Sequence, residues 1–190
     1  MATLSEVLSE VLSEVHDGAG AASWWAIQDP YAERMSADDD ERWMRMAIGL
    51  SWQSPPSPSA YSVGAVIVSA DGTEICRGFS REDGDPHVHA EESALAKLLP
   101  NEPRIAGATL YSTLEPCSRR ESRPRSCTEL ILATRADGPG IARVVIAWRE
   151  PSLFVANCQG VELLEQGGIE VTELPELAVR AREPNRHLAL

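Results

Sequence analysis

Several things are missing from this chain of 190 residues, and each absence excludes something. No apolar run approaches the roughly 18–20 residues needed to cross a bilayer, so no membrane span is expected. The opening stretch, MATLSEVLSEVLSEV, carries acids where a secretory leader would carry bases, and it holds no continuous apolar core. These two absences predict a cytoplasmic protein. Basic residues are also in deficit, with 17 Lys and Arg against 29 Asp and Glu and a formal net charge of −12. Phosphate backbones and anionic membrane surfaces demand a basic face, so neither nucleic acid nor membrane is an expected partner. Cysteine is scarce: Cys76, Cys117, Cys127 and Cys158 are the whole supply. In a reducing compartment these four are thiols or metal ligands rather than disulfides.

What is present fits one globular domain with an extension. Residues 4–15 read LSEV three times, placing Leu4, Val7, Leu8, Val11, Leu12 and Val15 on one stripe of a helix. Such a stripe covers part of a core, frays in solvent, or pairs with a partner subunit. The stretch DGAGAAS ends it. A well-started helix follows, with Ser36 as N-cap, Asp38 to Glu41 at the positive end of the dipole, and Trp43, Met44, Ala47 and Ile48 as its buried face. After the break at PPSPS, residues 62–80 read as a β-hairpin around the turn DGT. Helices and strands then alternate: HAEESALAKLL, GATLYSTLE, SCTELILATR, ARVVIAWRE, NCQGVELLEQGG and IEVTEL. A hairpin followed by helix–strand units predicts an α/β fold, three layers α/β/α around a five-stranded mixed sheet. The end, PELAVRAREPNRHLAL, reads as a short helix and a loose tail.

The chemistry gathers at two motifs, DPHVHAEESAL (85–95) and LEPCSRRESRPRSC (114–127). His89, Cys117 and Cys127 are three donors suited to zinc, and three protein ligands leave the fourth tetrahedral position open, as catalytic rather than structural zinc sites do. His89 and Cys127 each open a helix, where the dipole favours thiolate. Glu91, two residues past His89, lies in the same first turn and can move protons without binding metal.

This set resembles the cytidine-deaminase-like zinc deaminases, whose signature is His-Ala-Glu followed by Pro-Cys and a second Cys; here these are His89-Ala90-Glu91, Pro116-Cys117 and Cys127. The resemblance covers roughly residues 40–175. It implies a zinc cofactor that activates water for attack on a ring carbon bearing an amino group, with Glu91 carrying the proton from water to the ring nitrogen and on to the departing ammonia. The nine residues between the cysteines make the chain most similar to the riboflavin-pathway pyrimidine deaminases, since the other branches usually have two. Departures from that branch are an inter-cysteine loop one residue longer than usual, Ser80 in place of a histidine, and REP (149–151) in place of DPN. On this reading residues 1–35 are an extension with an amphipathic helix, 36–175 the zinc deaminase domain, and 176–190 a C-terminal helix and tail. Proteins of this fold commonly assemble, which predicts a homodimer.

Around the pocket, the loop SRRESRPRS holds Arg119, Arg120, Arg123 and Arg125 against one acid. Arginine forks suit a substrate phosphate; alternatively they pair with the protein's own acids, Glu82, Asp83 and Asp85. Ser80 and His87 are further candidates for substrate contact; His87 reads as a loop histidine bonded to backbone, or else as a substrate contact or alternate metal ligand. Glu92 reads as a solvated carboxylate complementing the helix dipole. Cys76 and Cys158, without metal donors nearby, read as buried small apolar residues. The expected function is hydrolytic deamination of a small phosphorylated heterocyclic amine, by resemblance diaminohydroxyphosphoribosylaminopyrimidine. The alternatives are another nucleoside, base or specialised heterocycle, or a zinc-stabilised binding protein without catalysis.

Overall fold

A computed structural model describes residues 36–136, 138–151, 154 and 157–188; the LSEV repeat and the rest of the expected extension lie outside them. Helix α1 (Ala37–Ser51) begins at Ser36, whose hydroxyl accepts from the Asp39 amide at 3.2 Å while the Asp39 carboxylate accepts from the Ser36 amide at 3.4 Å. This reciprocal cap satisfies amides that the first helical turn cannot. Trp43, Met44, Ala47 and Ile48 form the buried face, as the spacing predicts. One first-turn acid does more than complement the dipole. Asp40 is buried, accepts the Tyr111 hydroxyl at 2.7 Å, and takes a two-pronged ion pair from Arg143 at 2.7 Å.

The sheet contains β1 (Gly64–Val68), β2 (Glu74–Phe79), β3 (Thr109–Ser112), β4 (Arg143–Ile146) and β5 (Glu170–Glu173), in the order β2-β1-β3-β4-β5. β1 runs antiparallel to both β2 and β3, whereas β3, β4 and β5 are parallel. Every residue of β1 and β3 is buried, as in a sheet covered on both faces. α1 packs on β1, β3 and β4, with α5 (Ala178–Arg182) against it. The second group of helices is α2 (Ala90–Ala96), α3 (Cys127–Ala133) and α4 (Gly160–Gln166), where α2 meets α3 and α3 meets α4. The five-stranded mixed sheet of the sequence reading is therefore present.

Two features set up the site. At Gly78 in β2, an added Cβ would lie 2.6 Å from the Ala94 amide and 2.7 Å from the Ala90 carbonyl, so only glycine lets α2 come this close to the hairpin. The parallel strands β3 and β4 then end on the side where β1 begins and β2 finishes. Crevices beyond the carboxyl ends of parallel strands are where open α/β sheets bind ligands.

The C-terminal end departs from the sequence reading. As far as Leu188 it does not hang loose: Leu177, Ala181 and Leu188 are buried in the same core as α1 and β4. Apolar residues recur there at intervals of four and seven, enough to seat a short segment although too few to announce a long helix.

Candidate active site

His89 precedes α2 in an extended conformation, and its amide donates to the Glu92 carboxylate at 3.4 Å. Cys117 follows β3 by five residues, and Cys127 is the first residue of α3, behind Ser126, whose hydroxyl accepts from the Glu129 amide at 3.2 Å. The turn and the helix are laced together. Thr128 donates to the Cys117 carbonyl from its amide at 3.2 Å and from its hydroxyl at 3.1 Å, and the Cys127 amide points at the Cys117 sulfur at 3.4 Å. The two cysteines thus meet across the intervening loop.

The His89 Nδ1 atom lies 3.6 Å from Cys117 Sγ and 3.4 Å from Cys127 Sγ, and all three donor atoms fall within 4.8 Å of one another. A tetrahedral zinc with Zn–N of about 2.0–2.1 Å and Zn–S of about 2.3 Å requires N···S separations near 3.6 Å. The residues present fit the ion. The thiol chemistry agrees, because the Cys127 and His89 side chains hydrogen-bonded to Cys117 hold its thiol well below the ordinary range. A cation seated among these groups replaces protons that they otherwise share.

Glu91 is buried in the first turn of α2, and the Ser112 hydroxyl at the end of β3 donates to its Oε1 at 2.7 Å. Burial pushes this carboxyl up. Glu91, His89 and Cys117 line a cavity of about 750 Å³.

The other predicted contacts divide. Arg119 is exposed, lines the cavity, and has no ion pair among the described residues. Arg120 also reaches the lining, but its side chain is only 4% exposed and is spent on Glu92 at 2.9 Å and on the His87 carbonyl. Arg123 pairs with Asp85 and, at 3.1 Å, with Glu92. Glu92 is therefore the hub of two ion pairs rather than a solvated acid. His87 is exposed and lies outside the cavity lining; its backbone amide donates to the Asp85 carboxylate at 2.9 Å and its carbonyl accepts from Arg120. Ser80 borders the cavity, but its hydroxyl donates to the Tyr61 carbonyl at 3.1 Å and accepts from the Val63 amide at 2.9 Å. Its hydrogen-bonding capacity is committed inside the protein. Cys76 and Cys158 are half-buried, and burial pushes both thiols up to about 11.

Two acids were missed. Glu150 lines the cavity, and burial, with Cys117 and Glu91 nearby, pushes its carboxyl up to about 8. Glu115 is buried and accepts from the Glu150 amide and the Val161 amide, both at 3.1 Å, which fixes the segment after β4 to the Cys117 turn. The signal for both was their place just past the carboxyl ends of adjacent parallel strands.

Comparison with known proteins agrees with this geometry. The family described as the cytidine and deoxycytidylate deaminase zinc-binding region matches residues 37–147. The chain belongs to that family. Among curated relatives, the diaminohydroxyphosphoribosylamino-pyrimidine deaminase of Schizosaccharomyces pombe is 40% identical over 141 residues, spanning 73% of this chain and 33% of that protein. The riboflavin biosynthesis protein RibD of Escherichia coli is 37% identical over 139 residues, spanning 70% and 33%. The deaminase-family chain thus covers about a third of the length of these relatives. Among solved structures, the Rib2 deaminase of Aspergillus oryzae superposes with a TM-score of 0.67 at 27% identity, over 76% of this chain and 89% of that one. The same deaminase in complex with DARIPP gives 0.60 at 25%, over 71% and 83%.

Proposed function

We propose that this member of the deaminase family is a zinc-dependent hydrolase that replaces the amino group of a phosphorylated aminopyrimidine with oxygen and releases ammonia, at the diaminohydroxyphosphoribosylaminopyrimidine step of riboflavin synthesis. The observation that carries the reading is the buried Glu91 beside a His89–Cys117–Cys127 group at the wall of a substrate-sized cavity. His89, Cys117 and Cys127 are the metal ligands. Zinc held there supplies, when bound, the Lewis acidity that lets water act as a nucleophile near neutral pH.

The chain's own residues do the rest. Glu91 accepts one proton of the attacking water and delivers it to the ring nitrogen; it then takes the second proton from the hydroxyl added to the ring carbon and passes it to the amino group as the carbon–nitrogen bond breaks. A carboxyl raised by burial suits a group that must take and return a proton near neutrality. Ser112 holds the carboxyl toward the cavity by one oxygen. A purely structural zinc needs no such acid, which weighs against an inactive binding protein. Arg119 is left as the phosphate contact, because Arg120 and Arg123 are neutralised by Glu92 and Asp85 and Arg125 is not part of the cavity lining. That neutralisation, with the internal commitment of Ser80, favours a second reading in which the substrate is an unphosphorylated heterocycle. We place the enzyme in the cytoplasm, where four cysteines outside any disulfide are at home, and expect a homodimer by sedimentation.

The test is ammonia release from a panel of aminopyrimidine nucleotides, nucleosides and bases. Glu91→Gln should keep zinc and fold and lose turnover by about a thousandfold or more, since it removes only the proton carrier. An active Glu91→Gln variant would refute the mechanism.

A further inference from the structure

One wall of the cavity is made by the connection between α1 and β1. Ser59, Ala60, Tyr61 and Val63 line the space, in a stretch, SPPSPSAYSV, that contains three prolines and no regular structure until β1. Its backbone groups need partners from elsewhere. Arg81 supplies some, donating to the Pro55 carbonyl at 2.7 Å, the Tyr61 carbonyl at 2.8 Å and the Ser62 hydroxyl at 2.9 Å.

Ser80 serves the Tyr61 carbonyl and the Val63 amide, and further partners come from the C-terminal segment, where Asn185 stands 123 residues from Ser62 in sequence. Asn185, 1% exposed, accepts from the Ser62 amide at 2.6 Å through Oδ1 and donates to the Ser62 carbonyl at 3.1 Å through Nδ2. A side-chain amide here imitates one rung of a β-ladder. His187 Nε2 donates to the Ser57 carbonyl at 2.8 Å. Arg182 lies over the Trp148 ring at 4.8 Å, and that ring meets Tyr61 edge-on at 5.6 Å. The segment therefore holds the wall both by its backbone and by the ring behind Tyr61.

We propose that Asn185 is a positioning residue for the substrate cavity: by clasping Ser62 it fixes the Ser59–Val63 wall and so sets how firmly the heterocycle is held. Asn185 is absent from the cavity lining and acts only through Ser62 and its neighbours. The inference rests on the deaminase reading for its kinetic test but not for its structural one.

In Asn185→Ala, amide hydrogen exchange at residues 59–63 should accelerate by about tenfold or more while the β3 amides stay protected, as for the local loss of two buried hydrogen bonds. On the best substrate of the ammonia panel, KM should rise by about fivefold or more with kcat within about twofold, the pattern of weakened binding with intact chemistry. A clasp that merely stabilised the fold would lower the active fraction, so kcat and Tm would fall with KM unchanged, and that result would overturn the proposal. Unchanged exchange at Ser62 would overturn it as well. Should Asn185→Ala fail to fold, His187→Ala removes a single bond from an exposed residue and should show a smaller rise in KM of the same kind; an unchanged KM there would sink the idea. If the unmodified protein turns over no member of the panel, the deaminase reading falls by itself and the exchange result alone decides the clasp.

Discussion

Arg119 and Arg120 are adjacent in sequence and opposite in circumstance. Arg120 has exchanged water for Glu92 and a carbonyl, so its charge is matched within the protein. Arg119 is exposed, lines the cavity and pairs with no acid among the described residues. Their variants should therefore fail differently. Arg119→Ala should raise KM for a nucleotide by about tenfold and leave the nucleoside unchanged, because a charge-assisted hydrogen bond contributes about 1.5–3 kcal/mol. Arg120→Ala leaves Glu92 half-paired, with a stability loss on the order of 3 kcal/mol and equal effects on both substrates. Steady-state kinetics on a matched nucleotide and nucleoside, with thermal scans of both variants, separate the cases. Equal kinetics for the two substrates in the unmodified enzyme would move the conclusion to an unphosphorylated substrate. Nothing in the sequence distinguished these arginines: the acid that neutralises Arg120 stands 28 residues away, and only folding shows which one it is.

At the scale of elements, the site is an intersection of two helix starts and one strand end. α2 delivers His89 and Glu91, β3 leads to Cys117, and α3 presents Cys127. Cys117→Ala and Cys127→Ala should each lose most of the roughly one equivalent of zinc expected per chain, measured by elemental analysis, with a lower Tm because a metal bound only by the folded state stabilises it. Full occupancy in both variants would refute the ligand assignment. This intersection was legible beforehand, since the motif residues lie beside capping signals and strongly periodic runs. The hairpin and the alternating helices were legible for the same reason. Less legible were side chains whose partners are remote backbone groups. Asn185 in REPNRH carries no local sign that it bonds Ser62, and Ser80 none that its hydroxyl turns inward. Asp40 read as an acid at a helix start, yet its partners Tyr111 and Arg143 lie in β3 and β4.

Across the whole molecule, Glu150 makes stability depend on pH. A carboxyl in the unfolded chain titrates near 4.3, whereas burial in the folded chain pushes this one up to about 8. Between those values the folded state holds a proton that the unfolded state has released, so stability falls as pH rises through the window. Glu150→Gln removes the titrating proton. Thermal scans from pH 5 to pH 8 should show the unmodified protein losing about 2 °C or more of Tm beyond the loss in the variant; parallel curves would show that Glu150 is not the source. The ion pairs of the inter-cysteine loop have a consequence for how the two motifs move. Arg120 and Arg123 fasten that loop to Glu92 and Asp85, on either side of His89. A displacement of one motif therefore carries the other with it, and the three donors travel as one piece.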